Sequence, residues 1–140
     1  MDNFEAFKEF LDGEEIHYKE DELSDGDKVI KIPQRIEGGG IVNVILVFSK
    51  FKIKVAVLGI ATIEEEEKQV ACYKLFNEFN NKYSFFKMYM ASGGVITVDG
   101  DFSLDLVEGE FQSKELMSFI VMALHVVGKT YRDIMKILWL

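Results

Sequence analysis

The feature that most narrows the fold is a change of hydrophobic period in the middle of the chain. From Thr62 to Tyr83 the apolar residues Cys72, Leu75, Phe76, Phe79 and Tyr83 recur at steps of three or four, the spacing of one helix face. From Val95 to Leu106 the step becomes two. Ile96, Val98, Phe102, Leu104 and Leu106 share one face, and Thr97, Asp99, Asp101, Ser103 and Asp105 the other. Between the two patterns lie a strand from Ser84 to Met90 and a turn at Gly93-Gly94. A long helix feeding an alternating hairpin therefore organises the chain. Thr62-Ile63-Glu64-Glu65 has capping-box spacing and predicts the helix start. Gly100 interrupts the hairpin's apolar face and predicts a bulge or bend there.

Four strands are predicted before this unit. Ile16 to Glu22 and Lys28 to Ile36 flank Asp25-Gly26, a pair suited to the positive φ of a hairpin turn. Pro33 cannot donate to a ladder, so the second of these strands is expected at an edge or bulged. The glycine run Gly38-Gly39-Gly40 leads into a strand, Ile41 to Phe48, and reads as a plain connection. That strand is apolar on both faces, which predicts helices on one side and a partner or further structure on the other. Lys52 to Ile60 completes an antiparallel meander. Phe4, Phe7, Phe10 and Leu11 mark a short opening helix ended by Gly13. Ser113 to about Trp139 is a closing helix, apolar nearly all round in its first half. The predicted class is α+β, in the order α-β-β-β-β-α-β-β-α, as a single domain over residues 1–140.

With 140 residues and 49% hydrophobic content, a packed core is within reach and disorder is not. The net charge of −8 argues against nucleic acid, which is held by basic residues. It also weakens attraction to anionic membranes. The acidic Met1-Asp2-Asn3-Phe4-Glu5 start predicts no signal peptide. The apolar run Leu116 to Val127 is too short to span a bilayer, which needs about 20 residues. Cys72, the single cysteine, sits on the apolar stripe and is expected to be a buried thiol in a reducing compartment. Together these predict a soluble, cytoplasmic protein.

The chemical motifs are weak on their own physics. Glu64 to Glu67 are consecutive, so in a helix they splay about 100° apart and mark a helix start rather than a calcium site. Ala123 to Thr130 fits a relaxed phosphate-loop pattern. It lies inside a predicted helix, whose amides are already bonded, so no nucleotide is expected. His17 and His125 sit in different elements, with no metal-ligand spacing around them. Asp99 and Asp101 share a strand face, about 6.5–7 Å apart, too far for tight chelation. No metal, cofactor or catalytic residue is predicted.

The order of motifs resembles one known family. Leu75-Phe76-Asn77-Glu78-Phe79-Asn80-Asn81 leads into Phe85-Phe86-Lys87-Met88. Gly94-Val95-Ile96-Thr97-Val98 and Phe102-Ser103-Leu104-Asp105 follow, and Tyr131 to Trp139 closes the pattern. Over about residues 16–139 the chain is similar to the bacterial YbjN-type domain family of sensory transduction regulators. That resemblance implies a type III secretion chaperone-like fold and no catalytic residues. The expected function is a non-enzymatic interaction module that binds a protein or peptide, as a homodimer. Its expected contact surface comprises Val42, Val44, Met88, Met90, Met122 and Val126. The alternative is a small ligand-binding or hydrolytic domain using the Asp99/Asp101/Asp105 face or a pocket beside His125.

Overall fold

The computed structural model describes residues 2–104 and 110–139. Helix α1 (Asn3–Gly13) opens the chain, and strands β1 (Lys19–Glu22), β2 (Lys28–Arg35), β3 (Ile41–Phe48) and β4 (Lys52–Thr62) follow. Helix α2 (Glu66–Lys82) leads into the hairpin β5 (Lys87–Ala91) and β6 (Val95–Ser103), and helix α3 (Ser113–Trp139) closes it. The element order and the α+β class are those read from the sequence. The strands form one antiparallel sheet in the order β1-β2-β3-β4-β6-β5. Among the described residues, no helix is long and apolar enough to cross a membrane.

All three helices pack on the same face of the sheet. Phe7 and Leu11 of α1 are fully buried, and the Phe4 and Phe7 rings lie against Phe48 at the end of β3. Asp2 caps α1 by accepting a 2.8 Å hydrogen bond from the Glu5 amide. Helix α2 buries Cys72, Leu75, Phe76 and Phe79 of the predicted stripe, while Tyr83, its last member, follows the helix and is half-buried. Helix α3 buries Leu116, Ile120, Ala123, Val127 and Ile134 on the inner side. Its Phe119 ring packs 4.7 Å from Phe86 and 5.7 Å from Phe102. Val42, Val44, Leu46, Val55 and Val57 supply the sheet's side of this core.

The predicted capping box does not form. Thr62 is the last residue of β4 and pairs with Val95, while the Ile63 amide donates to the Gly94 carbonyl at 2.8 Å. The sheet therefore holds these residues extended, and α2 starts at Glu66 with no side-chain cap from Glu65. The predicted bend at Gly100 is also displaced. Gly100 pairs in regular register with Val55, and the irregularity falls in β4 between Val57 and Ala61, where Gly59 adopts φ +82°. Pro33 lies in β2 opposite Asn43, beyond the last β1 pair, Lys19 with Lys31, so this stretch of β2 is a free edge, as its proline required. Asp25-Gly26 makes its turn as expected, with Gly26 at φ +93°.

Both free edges of the sheet are blunted. Strand β1 has four residues, all charged and all exposed, a poor template for another strand. At the other edge the Met88 N–H and C=O point away from β6, and one side chain takes both. The Met88 amide donates to Asn80 Oδ1 at 2.8 Å, and Asn80 Nδ2 donates to the Met88 carbonyl at 3.2 Å. Here the Asn80 and Met88 of the sequence motif acquire a physical role. Asn80→Ala leaves both groups open, at a cost of about 1–3 kcal/mol. The check is urea denaturation together with light scattering. A lower midpoint and faster self-association are expected; an unchanged midpoint removes the clamp.

Candidate interaction surface

The residues predicted to form a contact surface do not share one. Val42, Val44, Met88 and Val126 are buried in the protomer's own core. Val42 and Val44 belong to the inner face of β3, and Met88 lies opposite Val98 beneath α2. Their apolar character reflects packing between sheet and helices. Met90 is half-buried and Met122 is exposed on the outer side of α3, beside Val121. Met90 lines an open cleft of about 710 Å³ with Tyr73, Phe76 and Tyr89, between α2 and the hairpin.

The carboxylates of the alternative reading are dispersed. Asp99 accepts a 2.6 Å hydrogen bond from the Tyr89 hydroxyl, and Asp101 pairs with Lys52 at 3.3 Å. Asp105 lies outside the described residues. His125 is exposed on α3 and does not line that cleft. Among the described residues, no group of three His, Cys, Asp or Glu could hold a metal ion. Burial pushes the Cys72 thiol up, away from the reactive thiolate. The segment Ala123 to Thr130 is helical throughout, with the Thr130 hydroxyl donating back to the Val126 carbonyl at 2.9 Å.

Tyr89 gives a clean pH signature. The hydrogen bond to Asp99, then burial, push its phenol up to about 12 from an ordinary 10.0. The folded chain thus holds this proton more tightly than the unfolded chain does. Its contribution to stability is complete below pH 10 and is lost as pH rises through about 12. In an alkaline absorbance titration, Tyr89→Phe is expected to delete a step near pH 12. Loss of a step near pH 10 instead would break the assignment.

What the register leaves uncovered is the outer face of the sheet. The inner residues of β3 are buried, while Ile41 is 60% exposed and Asn43, Ile45 and Val47 are half-buried. Across the ladder, Ile45 lies between Lys31 and Ala56, Val47 between Val29 and Lys54, and Asn43 between Pro33 and Leu58. The face continues through Asp99 and Asp101 on β6 to Lys87 and Tyr89 on β5. Its centre is an apolar stripe along β3 and β4. Its margins carry Lys19, Lys31 and Arg35 on one side and Lys52, Lys54 and Lys87 on the other. Sequence reasoning saw that β3 is apolar on both sides. It missed the cations, because they come from four strands, β1, β2, β4 and β5, and only the sheet register brings them to one face.

The comparisons with known proteins bear on the family and the fold. The family model described as "Putative bacterial sensory transduction regulator", YbjN, matches residues 3–134. The chain belongs to the YbjN family. The match spans all the elements from α1 into α3, and the family's description names regulation and no reaction. A solved structure titled "Crystal structure of YbjN, a putative transcription regulator from E. coli" is similar, with a TM-score of 0.62 at 11% sequence identity. The alignment covers 94% of this chain and 93% of that one, so the YbjN fold is shared over nearly its whole length. No curated protein shows significant sequence similarity to the chain.

Proposed function

We propose that this chain is a non-enzymatic, regulatory interaction module of the cytoplasm that docks a protein or peptide on the outer face of its sheet. One observation carries the reading. Three helices cover one face of a six-stranded sheet, and among the described residues none covers the other, though an apolar stripe runs along its centre. An antiparallel sheet can leave one face to water, and that face is then ordinarily polar. Here Ile41, Ile45, Val47 and Leu58 stand where polar residues would serve. Strand addition is disfavoured because β1 is short and charged and Asn80 occupies Met88. The mode of binding is therefore face docking.

Site-specific photocrosslinking in the native host tests this. A benzoylphenylalanine at position 41 or 58 is expected to capture a defined protein, and one at position 121, on the outside of α3, is not. Adducts of equal yield from all three positions, or from position 121 alone, would place the interface elsewhere.

A further inference from the structure

The outer face carries a charge opposite to that of the whole chain, and the arrangement of that charge indicates what it binds. Its register places six cations against three carboxylates, Asp21, Asp99 and Asp101, in a chain whose net charge is −8. The Lys52–Asp101 pair cancels one charge of each sign, and Asp99, which accepts from Tyr89, keeps its own, so cations still outnumber carboxylates on the face. The face is thus a basic, apolar-centred surface on an acidic protein.

We infer that its occupant is an amphipathic helix of a partner protein, apolar along one side and acidic on both flanks. This rests on the docking reading above and adds the partner's chemistry. The geometry follows from the ladder. Lys31 on β2 and Lys54 on β4 stand on either side of β3. Two strand spacings put their strands roughly 9–10 Å apart, close to the 10–12 Å width of a helix. A helix lying along β3 sets its apolar side on Ile45, Val47 and Leu58, and its flanks meet both cation rows. Lys31 and Arg35 are four residues apart in one strand, about 13 Å, near the ~11 Å rise of two helical turns. Carboxylates two turns apart on the helix can therefore meet both.

Other occupants fit less well. A second copy in a two-fold contact brings this basic face against itself. A polynucleotide brings phosphates but nothing apolar for Ile45 and Val47.

The test uses two labelled synthetic helices with identical leucine stripes, one flanked by glutamate and one by lysine, plus a duplex oligonucleotide. Binding to the full chain is read by fluorescence anisotropy at low salt. The glutamate helix is expected to bind roughly tenfold or more tightly than its lysine twin. The double variant Lys31→Glu/Lys54→Glu should reverse that preference, and Ile45→Asp should weaken both. The two charge reversals are on the surface and place no demand on the core. Equal binding of the twins, lost in Ile45→Asp, keeps the docking face and overturns the acidic partner. Binding indifferent to Ile45→Asp and to the charge reversals overturns both. Tighter binding of the oligonucleotide, or a sedimenting dimer dissolved by Ile45→Asp, replaces the helix with that occupant.

Discussion

Gly94→Ala is expected to cost about 3–5 kcal/mol, whereas Gly93→Ala next to it costs about 1–2 kcal/mol. The two glycines have nearly the same backbone, φ +79° and φ +81°, so the strain of an L-residue with positive φ is common to both. They differ in surroundings. A Cβ on Gly93 meets nothing within 4 Å, whereas one on Gly94 would lie 2.1 Å from the Ile63 carbonyl oxygen. That oxygen is main chain and is held in place. It accepts a 2.8 Å hydrogen bond from Gln69 Nε2, and the Ile63 amide donates to the Gly94 carbonyl. A methyl group there must push β6 away from the end of β4, breaking bonds worth about 1 kcal/mol each and opening the buried Ile63 site. Denaturation midpoints of both variants check the claim. Equal losses would show that the backbone at Ile63 yields freely and that only φ matters.

The same contact explains where the sequence was legible and where it was not. Local patterns located every element, since periods of two and 3.6 are written in neighbouring residues. Cys72, Leu75, Phe76 and Phe79 all turned inward as their spacing required. Thr62 and Glu65 also satisfied a local rule, yet Gly94, roughly thirty residues later, overrides it by holding Ile63 in the sheet. Non-local pairing defeats the cap because the residues after Thr62 would have to turn helical, and the bond from Ile63 to Gly94 keeps the chain extended there, through to Glu65. The contact surface failed for a related reason. Val42, Val44, Met88 and Val126 are as apolar as an interface requires, and composition cannot separate a core from an interface. Only the ladder register shows that Ile45 and Val47, one residue out of phase, lie on the uncovered side. Charge was misleading in the same way. A chain-wide −8 hid a face whose cations are gathered from four strands, β1, β2, β4 and β5.

Gly100 is the second position with a large expected effect, and its role is not to bend a strand. A Cβ there would lie 2.3 Å from the Phe85 carbonyl oxygen and 2.8 Å from the Phe86 ring. The ring is fully buried between this glycine and α3, where it packs 4.7 Å from Phe119. An alanine must either displace the ring from Phe119 or part the segment before β5 from β6. Overpacking of this kind costs about 1–3 kcal/mol, and a main-chain obstacle puts Gly100→Ala at the upper end or beyond. Phe86→Leu separates the two obstacles. Against a Phe86→Leu background the ring is gone and the Phe85 carbonyl remains, so Gly100→Ala should still cost more than half of what it costs in the wild type. A double variant as stable as Phe86→Leu alone would make the ring the only constraint. A persistent cost would show that β6 and the entry to β5 are fitted backbone to backbone. The glycine would then hold together the hairpin that carries Asp99, Asp101, Lys87 and Tyr89 at the margin of the outer face.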